Sequence, residues 1–560
     1  MDTQRLILFF VFSFSLLLLW TEWEKEQRPK PSLVTAAAPQ AANTKVVPGA
    51  VPSPTTTATT TPAAAPAATV PAPAPAAAKG EVVQVRTDLL VADIDTLGGG
   101  LTRLELLKHK ATDDQSQNLV LLGPEHQYFA QSGLTGDGGP NHRSLWRILP
   151  GERLLADGKD TVEVRLAAEG KDGLSVEKVY TFKRDSYIID VALEIRNAGT
   201  APVAPHAYFQ LTHDGKQAAG GSSLAQSFGA QSFNGFAEYT TDKKFEKIQY
   251  SDIDKGKADH AKQAGDGWMA FVQHYFVAAW VPTAAGPRDY VVEKRPDGIY
   301  SGRVVLPVPA IAPGATAKVV APLYAGPQEQ RRLKEVAPGF DLVVDYGWLT
   351  IIAWPLFWLL EKYHSLAGNW GVAIILLTVT IKIVFFPLSA ASYKSMAKMK
   401  LVTPRLTKIR EMYANDRARQ NQAMMELYKT EKINPLGGCF PILVQIPVFI
   451  ALYWVLLAAI ELRHAPFMLW IHDLSALDPY YVLPILMTIT MVVQTKLNPV
   501  PPDPVQAKVM MFMPFVFSIF FFFFPAGLVL YWLVNNILSI AQQWQIQRMF
   551  ERDKPAHAKR

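Results

Sequence analysis

The side chain with the most chemistry to explain is Lys382. It stands in a stretch, Trp370 to Leu388, that otherwise carries no charge. A lysine near the middle of a bilayer costs about 2.5–3.5 kcal/mol on insertion scales, so it should face protein or water. Thr378, four residues earlier, shares its helix face. Other apolar segments contribute Gln445, Thr488, Thr490, Gln494, Ser518, Asn535 and Asn536, and none of these segments holds an Asp or Glu. Uncharged polar residues commonly join helices to one another. An unpaired cation among them instead implies a hydrated cavity or a visiting anionic partner. The ammonium is therefore expected in water-accessible space, protonated, and able to hold acidic groups transiently.

Conventional catalytic patterns are missing. There is no GxxxxGK[ST] phosphate loop and no HExxH zinc helix. Gly136 to Gly139 has no strand–turn–helix context. His206, His213 and Asp214 lie close together, but histidines in alternating segments are ordinarily structural. The single cysteine, Cys439, excludes an intramolecular disulfide, a thiolate zinc cluster and a cysteine redox pair. No catalytic residue, metal or cofactor is expected.

Five zones must position the polar residues. Residues 1–30 open with an apolar run, Leu6 to Trp20, between Arg5 and a charged stretch beginning at Glu22. A charged segment of about ten residues follows before the small residues Ala36 to Ala38, whereas cleavage sites normally follow closely, so the run reads as an uncleaved transmembrane anchor over a cleaved signal peptide. Residues 31–80 hold 17 Ala, 10 Pro and 9 Thr, too little apolar surface to offset ordering entropy, and form a tether. From 81 to 340 the hydrophobic period becomes two. Val162, Val164 and Leu166 alternate with Glu163 and Arg165, and Tyr187, Ile189, Val191, Leu193 and Ile195 follow the same rule. Short runs recur at Val82 to Val85 and Lys318 to Leu323, beside turn clusters such as Gly98-Gly99-Gly100. This predicts one large antiparallel β-sandwich.

Within 341–368, Gly347 to Leu360 is uncharged but too short to span, and suits an interfacial helix with Trp348, Trp354 and Trp358 at headgroup depth. Residues 369–547 read as a five-helix membrane core. Its spans are Trp370 to Leu388, Phe440 to Ile460, Pro479 to Thr495, and Val509 to Gln547 divided by Pro525-Ala526-Gly527. Residues 548–560 are a basic tail.

Loop charge orients the core. Between the first two spans lie Lys394, Lys398, Lys400, Arg405, Lys408, Arg410, Arg417, Arg419, Lys429 and Lys432, against Glu411, Asp416, Glu426 and Glu431. The next loop, 461–478, has only Arg463. The following one has Lys496 and Lys508, the Pro525 turn has no basic residue, and the tail is basic again. Alternate loops obey the positive-inside rule. Both termini and the basic loop are thus expected in the cytoplasm and the β-domain in the periplasm. Within 389–434 helical periodicity breaks near Asn415-Asp416, predicting a basic helical hairpin. It is either a solvated face hugging the membrane or a docking surface for acidic or RNA-bearing partners.

Alternative functions make different demands. A secondary transporter or channel would call for paired intramembrane acids or inverted repeats, and neither is evident. A membrane-tethered carbohydrate-active β-domain would need carboxylates converging in a cleft, which spacing alone does not reveal.

A set of longer motifs adds a resemblance. Gly368-Asn369-Trp370-Gly371, Pro387-Leu388, Ser395-Met396-Ala397-Lys398-Met399, Asn434-Pro435-Leu436-Gly437-Gly438-Cys439-Phe440-Pro441, Trp470-Ile471-His472-Asp473-Leu474 and Phe524-Pro525-Ala526-Gly527-Leu528-Val529-Leu530-Tyr531-Trp532 closely resemble the YidC membrane protein insertases of Gram-negative bacteria. The match is dense over 340–550. It is looser in the β-domain, where Tyr324-Ala325-Gly326-Pro327 fits the family's β-supersandwich.

The resemblance implies an insertase and chaperone for nascent inner-membrane proteins, acting alone or beside the Sec translocon and its accessory subunits. It further implies a hydrophilic groove open to cytoplasm and lipid, with its single basic residue at Lys382, where many members have Arg. Lysine offers a point charge rather than a bidentate fork. Thr378, Gln445, Tyr531, Trp532 and Asn535 fall at groove or substrate-contact positions. Lys394, Lys398, Lys400, Arg405, Lys408 and Arg410 fall in the cytoplasmic hairpin, which together with the basic tail is implied to receive substrate and ribosome.

Overall fold

The computed structural model describes residues 80–112, 114–136, 138–216, 233–431, 440–498 and 504–552. The N-terminal anchor, the tether, most of the Asn434 to Pro441 motif and the end of the basic tail lie outside the described residues. Contacts divide the chain into two compact units, meeting in sequence between Val344 and Asp345.

The first unit is the antiparallel sandwich that the alternation predicts. It contains two nine-stranded sheets. One runs, in spatial order, Val82–Arg86, Leu90–Asp95, Gly100–Lys110, Phe129–Leu134, His206–His213, Tyr300–Pro307, Arg288–Lys294 and Gln263–Ala264, with Asn118–Leu122 also on Gly100–Lys110. The other runs Lys244–Ile248, Gly235–Thr240, Trp268–Val272, Phe276–Trp280, Thr316–Pro327, Ile188–Asn197, Leu174–Lys183, Thr161–Glu169 and Arg147–Ile148. Two short helices accompany them, α1 (Tyr250–Asp254) and α2 (Gln330–Val336). Val162, Val164 and Leu166 are buried while Glu163 is exposed, and Ile189, Val191, Leu193 and Ile195 are all buried. One pleat face of these strands thus builds the core, whereas Trp268–Val272 and Phe276–Trp280 are buried at every position.

Polar groups inside the sandwich are mostly satisfied. Trp280 Nε1 donates to the Gln210 carbonyl of the opposite sheet at 3.0 Å. Lys178 is fully buried. Its Nζ donates to the carbonyls of Gly98 (3.2 Å), Gly99 (3.0 Å) and Ser132 (2.8 Å) and sits 4.3 Å from the Trp146 ring centre. Desolvation lowers its pKa to about 7; the three carbonyls and the indole face are what an ammonium requires. Gly98 and Gly99 adopt φ of 92° and 57°, and a Cβ on Gly99 would meet the Trp146 ring at 3.0 Å. The turn brings its carbonyls to Lys178 because it is glycine. Glu238 is one of the exceptions. It is fully buried, one oxygen takes the Ala261 amide and the other has no partner, and desolvation raises its pKa to about 7.

The second unit is helical: α3 (Thr350–Ala367), α4 (Trp370–Val384), α5 (Phe386–Met412), α6 (Arg417–Thr430), α7 (Phe440–Ala458), α8 (Val482–Leu497), α9 (Pro504–Phe521) and α10 (Ala526–Arg552). In α3, Ala353, Phe357 and Leu360 are buried, whereas Ile351, Trp354, Trp358 and Leu366 are exposed. Apolar residues thus lie on both the packed and the exposed sides of α3.

One segment departs from expectation. Trp370 to Leu388 is not a continuous helix, because α4 stops at Val384 and α5 leaves at 65°. Pro387 is the cause: it has no amide hydrogen for Ile383, and its ring collides with that carbonyl in a continuing helix. Among the described residues no single helix is long and apolar enough to cross a membrane. The bent pair Trp370–Val384 and Phe386–Met399 meets that requirement together, and Val444–Ala458, Val482–Leu497 and Ala507–Phe521 are apolar but shorter. On α9, Phe512, Phe515, Val516 and Ile519 are exposed, a composition suited to lipid.

α5 and α6 pack against each other. α5 and α6 are separated near Asn415-Asp416, and Asp416 caps α6 by accepting the Arg419 amide at 3.0 Å. Val402 and Leu406 are buried against Met399, Met424, Leu427 and Tyr428.

Candidate functional site

Helix α10 packs against both α4 and α8, and its polar residues fall in two stripes. Asn535, Ser539 and Gln542 follow three-to-four spacing, and Asn536 and Gln543 lie seven residues, about two turns, apart. The first stripe meets α4 and α7. Lys382 Nζ donates to Ser539 Oγ at 2.7 Å, and the Ser539 hydroxyl donates to the Asn535 carbonyl at 2.7 Å. Gln445 Nε2 donates to Asn535 Oδ1 at 3.0 Å. Gln542 Nε2 reaches the Lys382 carbonyl at 3.4 Å. The second stripe meets α8: Asn536 Nδ2 donates to Thr490 Oγ1 at 2.9 Å and Gln543 Nε2 to Asn498 Oδ1 at 3.1 Å.

Lys382, Gln445 and Asn535 are therefore linked, Lys382 to Asn535 through Ser539. Three expectations need correction. Lys382 is 7% exposed rather than open to water, held by a neutral hydroxyl. Thr378 is fully buried, and its hydroxyl bonds back to the Ile374 carbonyl at 2.7 Å. It satisfies its own helix. Trp532 stacks on Phe449 at 4.9 Å and meets Phe521 and Phe524 edge-on at 4.4 and 5.5 Å, so it packs helices α7, α9 and α10. Tyr531 is buried too, 6.2 Å from Phe449. Sequence reasoning missed Ser539, Gln542 and Gln543, although their spacing from Asn535 and Asn536 was visible.

The end of the bundle opposite the hairpin is tightly laced. Asn369 caps α4 by accepting the Val372 amide (3.1 Å) and donates to the Phe467 carbonyl (2.8 Å). A Cβ on Gly371 would lie 2.1 Å from the Phe467 ring. Asp473 accepts from the His464 and Ser475 amides, and Asp478 from the amides of Tyr480 and Leu483 and from Trp470 Nε1. The amides of Ala526 and Gly527 then bond the carbonyls of Ala476 (2.7 Å) and Leu474 (2.9 Å). Each motif carrying the resemblance in this region thus has a structural duty.

On α5, Lys394, Arg405 and Lys408 are exposed, and Lys398 and Arg410 half-buried. Arg405 pairs at 2.6 Å with Glu431, which caps the C-terminus of α6. Lys400 lies on the same helix.

In the sandwich, His213 and Asp214 are joined by a residue the sequence gave no reason to include, His126. His206, at the other end of the same strand, is not part of that cluster.

The sequence agrees with known proteins. Residues 82–359 match the YidC periplasmic domain family and residues 362–554 the 60Kd inner membrane protein family. The chain is 53% identical over 562 residues to the membrane protein insertase YidC of Aromatoleum aromaticum, covering 99% of each. It is also 53% identical over 555 residues to that of Methylobacillus flagellatus, covering 99% of this chain and 98% of the relative. A crystal structure of an active YidC insertase with its first transmembrane domain resolved is 17% identical, covers 83% of this chain and 93% of its own, and has a TM-score of 0.38. This chain belongs to the YidC family of membrane protein insertases.

Proposed function

We infer that the chain inserts proteins into the inner membrane, with its β-sandwich in the periplasm. The match to curated insertases over 99% of both chains supports this. We further propose that Lys382 is the working residue of the insertion path, with Gln445, Asn535 and Ser539 as its polar lining.

The observation carrying the mechanism is that Lys382 is buried with a hydroxyl as its partner, and no acid pairs with it among the described residues. A neutral hydroxyl holds an ammonium less strongly than a carboxylate does. An acidic residue in an entering substrate tail can therefore displace Ser539 from Lys382. The tail then has less than the full 30 Å or so of hydrocarbon to cross unaided. The substrate's apolar segment partitions sideways into lipid, which supplies the driving force without nucleotide. No covalent bond is made or broken, so the activity is not enzymatic.

The basic hairpin and tail face the cytoplasm in this arrangement, with both termini there. Exposed Lys394 and Lys408 are suited to the acidic surface of a ribosome, and action beside the Sec translocon remains open to the same path. The test is depletion of the chain in its own host while following small membrane proteins whose tails cross the bilayer. They should accumulate uninserted, and be rescued by the wild-type chain but not by Lys382→Glu.

A further inference from the structure

Outside the helical unit, one cluster has ligand-type chemistry that insertion does not use. His126 closes the 3-10 turn Pro124–His126, His213 ends the strand His206–His213, and Asp214 follows it directly. The two segments are tied by the Asp214 amide, which donates to the His126 carbonyl at 2.9 Å. His126 Nδ1 and His213 Nδ1 each lie 3.5 Å from the same atom, Asp214 Oδ1. The ligating atoms of all three residues fall within 4.8 Å of one another. His213 is buried, and His126 Nδ1 is shielded from solvent with no hydrogen-bond partner.

We propose that His126, His213 and Asp214 form a site for a divalent transition-metal ion of the zinc type. Tetrahedral zinc binds imidazole nitrogen and carboxylate oxygen at about 2.0–2.2 Å, which places neighbouring ligand atoms about 3.3–3.5 Å apart. Both measured nitrogen-to-oxygen separations meet that figure. A mixed set of two imidazoles and one carboxylate leaves the fourth position to water and favours zinc-type ions over calcium or magnesium.

The surroundings also set the strength. His213 Nδ1 now receives the Gly215 amide at 2.9 Å and lies 3.0 Å from the Tyr250 hydroxyl. Asp214 Oδ1 takes the Lys216 amide at 2.9 Å. The ion must displace the bonds at Nδ1, so the site should load reversibly and more weakly than a structural zinc. Once loaded, it clamps the turn to the end of the strand.

The test uses the full-length chain in detergent, titrated with zinc chloride by calorimetry and with cobalt chloride by visible absorption. One zinc per chain is expected, with a cobalt spectrum of tetrahedral intensity and a zinc-dependent rise in the melting temperature of the sandwich. His126→Gln and Asp214→Asn should each weaken binding at least tenfold and abolish the cobalt bands. His206→Ala, outside the cluster, should bind as wild type. His126 lies in a half-exposed turn, so its variant should keep the metal-free melting temperature and report binding alone. Absence of saturable binding overturns the proposal, as does equal binding by wild type and both cluster variants, which would mark scattered surface histidines as the source.

Discussion

Lys382 on α4 and Ser539 on α10 are joined at 2.7 Å, and the serine's own proton is committed to the Asn535 carbonyl. Ser539 can therefore only accept from Lys382. The Lys382 ammonium is held by a lone pair that a carboxylate readily outcompetes.

That relationship predicts coupling between the two residues. Ser539→Ala should strip a buried charge of its partner and destabilise the helical unit by about 1–3 kcal/mol. Lys382→Met should largely remove the cost of the serine change, because no charge then needs holding. A double-mutant cycle on thermal unfolding in detergent should give an interaction term of about 1 kcal/mol or more. Simple additivity would mean the contact is incidental.

Substrate charge should sort the Lys382 variants. Lys382→Arg should retain insertion, since it keeps the charge. Lys382→Glu should harm substrates with acidic tails most, through like-charge repulsion, and Lys382→Ala should be mild for uncharged tails. One substrate carrying acidic, neutral or basic tails, compared across the variants, decides the matter. Equal loss for all three tails in Lys382→Glu would reduce the residue to helix packing.

Glu238 gives a pH prediction for the sandwich. Burial raises its pKa from 4.5 to about 7 in the folded state, so the folded chain binds more protons than the unfolded one between those values. Its contribution to stability is full below about pH 4.5 and is lost as pH rises through 7. Glu238→Gln should flatten the fall in melting temperature between pH 5 and 8. The variant should gain on wild type at pH 8. An unchanged slope would show that Glu238 ionises as freely folded as unfolded.

Lys178 should prove structural. Lys178→Met keeps the stem but leaves the carbonyls of Gly98, Gly99 and Ser132 without their shared donor, a change expected to cost about 3 kcal/mol of sandwich stability. Insertion per folded molecule should be unaffected. Denaturant unfolding of the full chain, followed by tryptophan fluorescence, measures the loss.

Much of this was legible in the sequence because burial leaves a period. Tyr187 to Ile195 alternate because one face of their strand is core, and the pattern needs no knowledge of partners. The order of the eighteen strands was not legible, since pairing depends on contacts such as Thr316–Pro327 with Ile188–Asn197, more than 100 residues apart. In the helices, Lys382 stood out because charge in an apolar run is costly. Its partner did not, because a serine in a helix is unremarkable until the neighbouring helix is placed. The packing of Trp532 on Phe449 and Phe521 was hidden for a related reason: adjacent residues on a helix lie about 100° apart, and only the placed neighbours show what each one meets. The break at Pro387 was readable from proline chemistry, but hydropathy averages over it.

Reconstitution tests the central claim most directly. The purified chain, alone in lipid vesicles without nucleotide, is given a single-spanning substrate with a short acidic tail, and protection of that tail from external protease is measured. Protection is predicted with wild type and Lys382→Arg, and should fall at least tenfold with Lys382→Glu. Protection equal to that of empty vesicles for wild type, or undiminished with Lys382→Glu, would contradict charge-assisted insertion through this site.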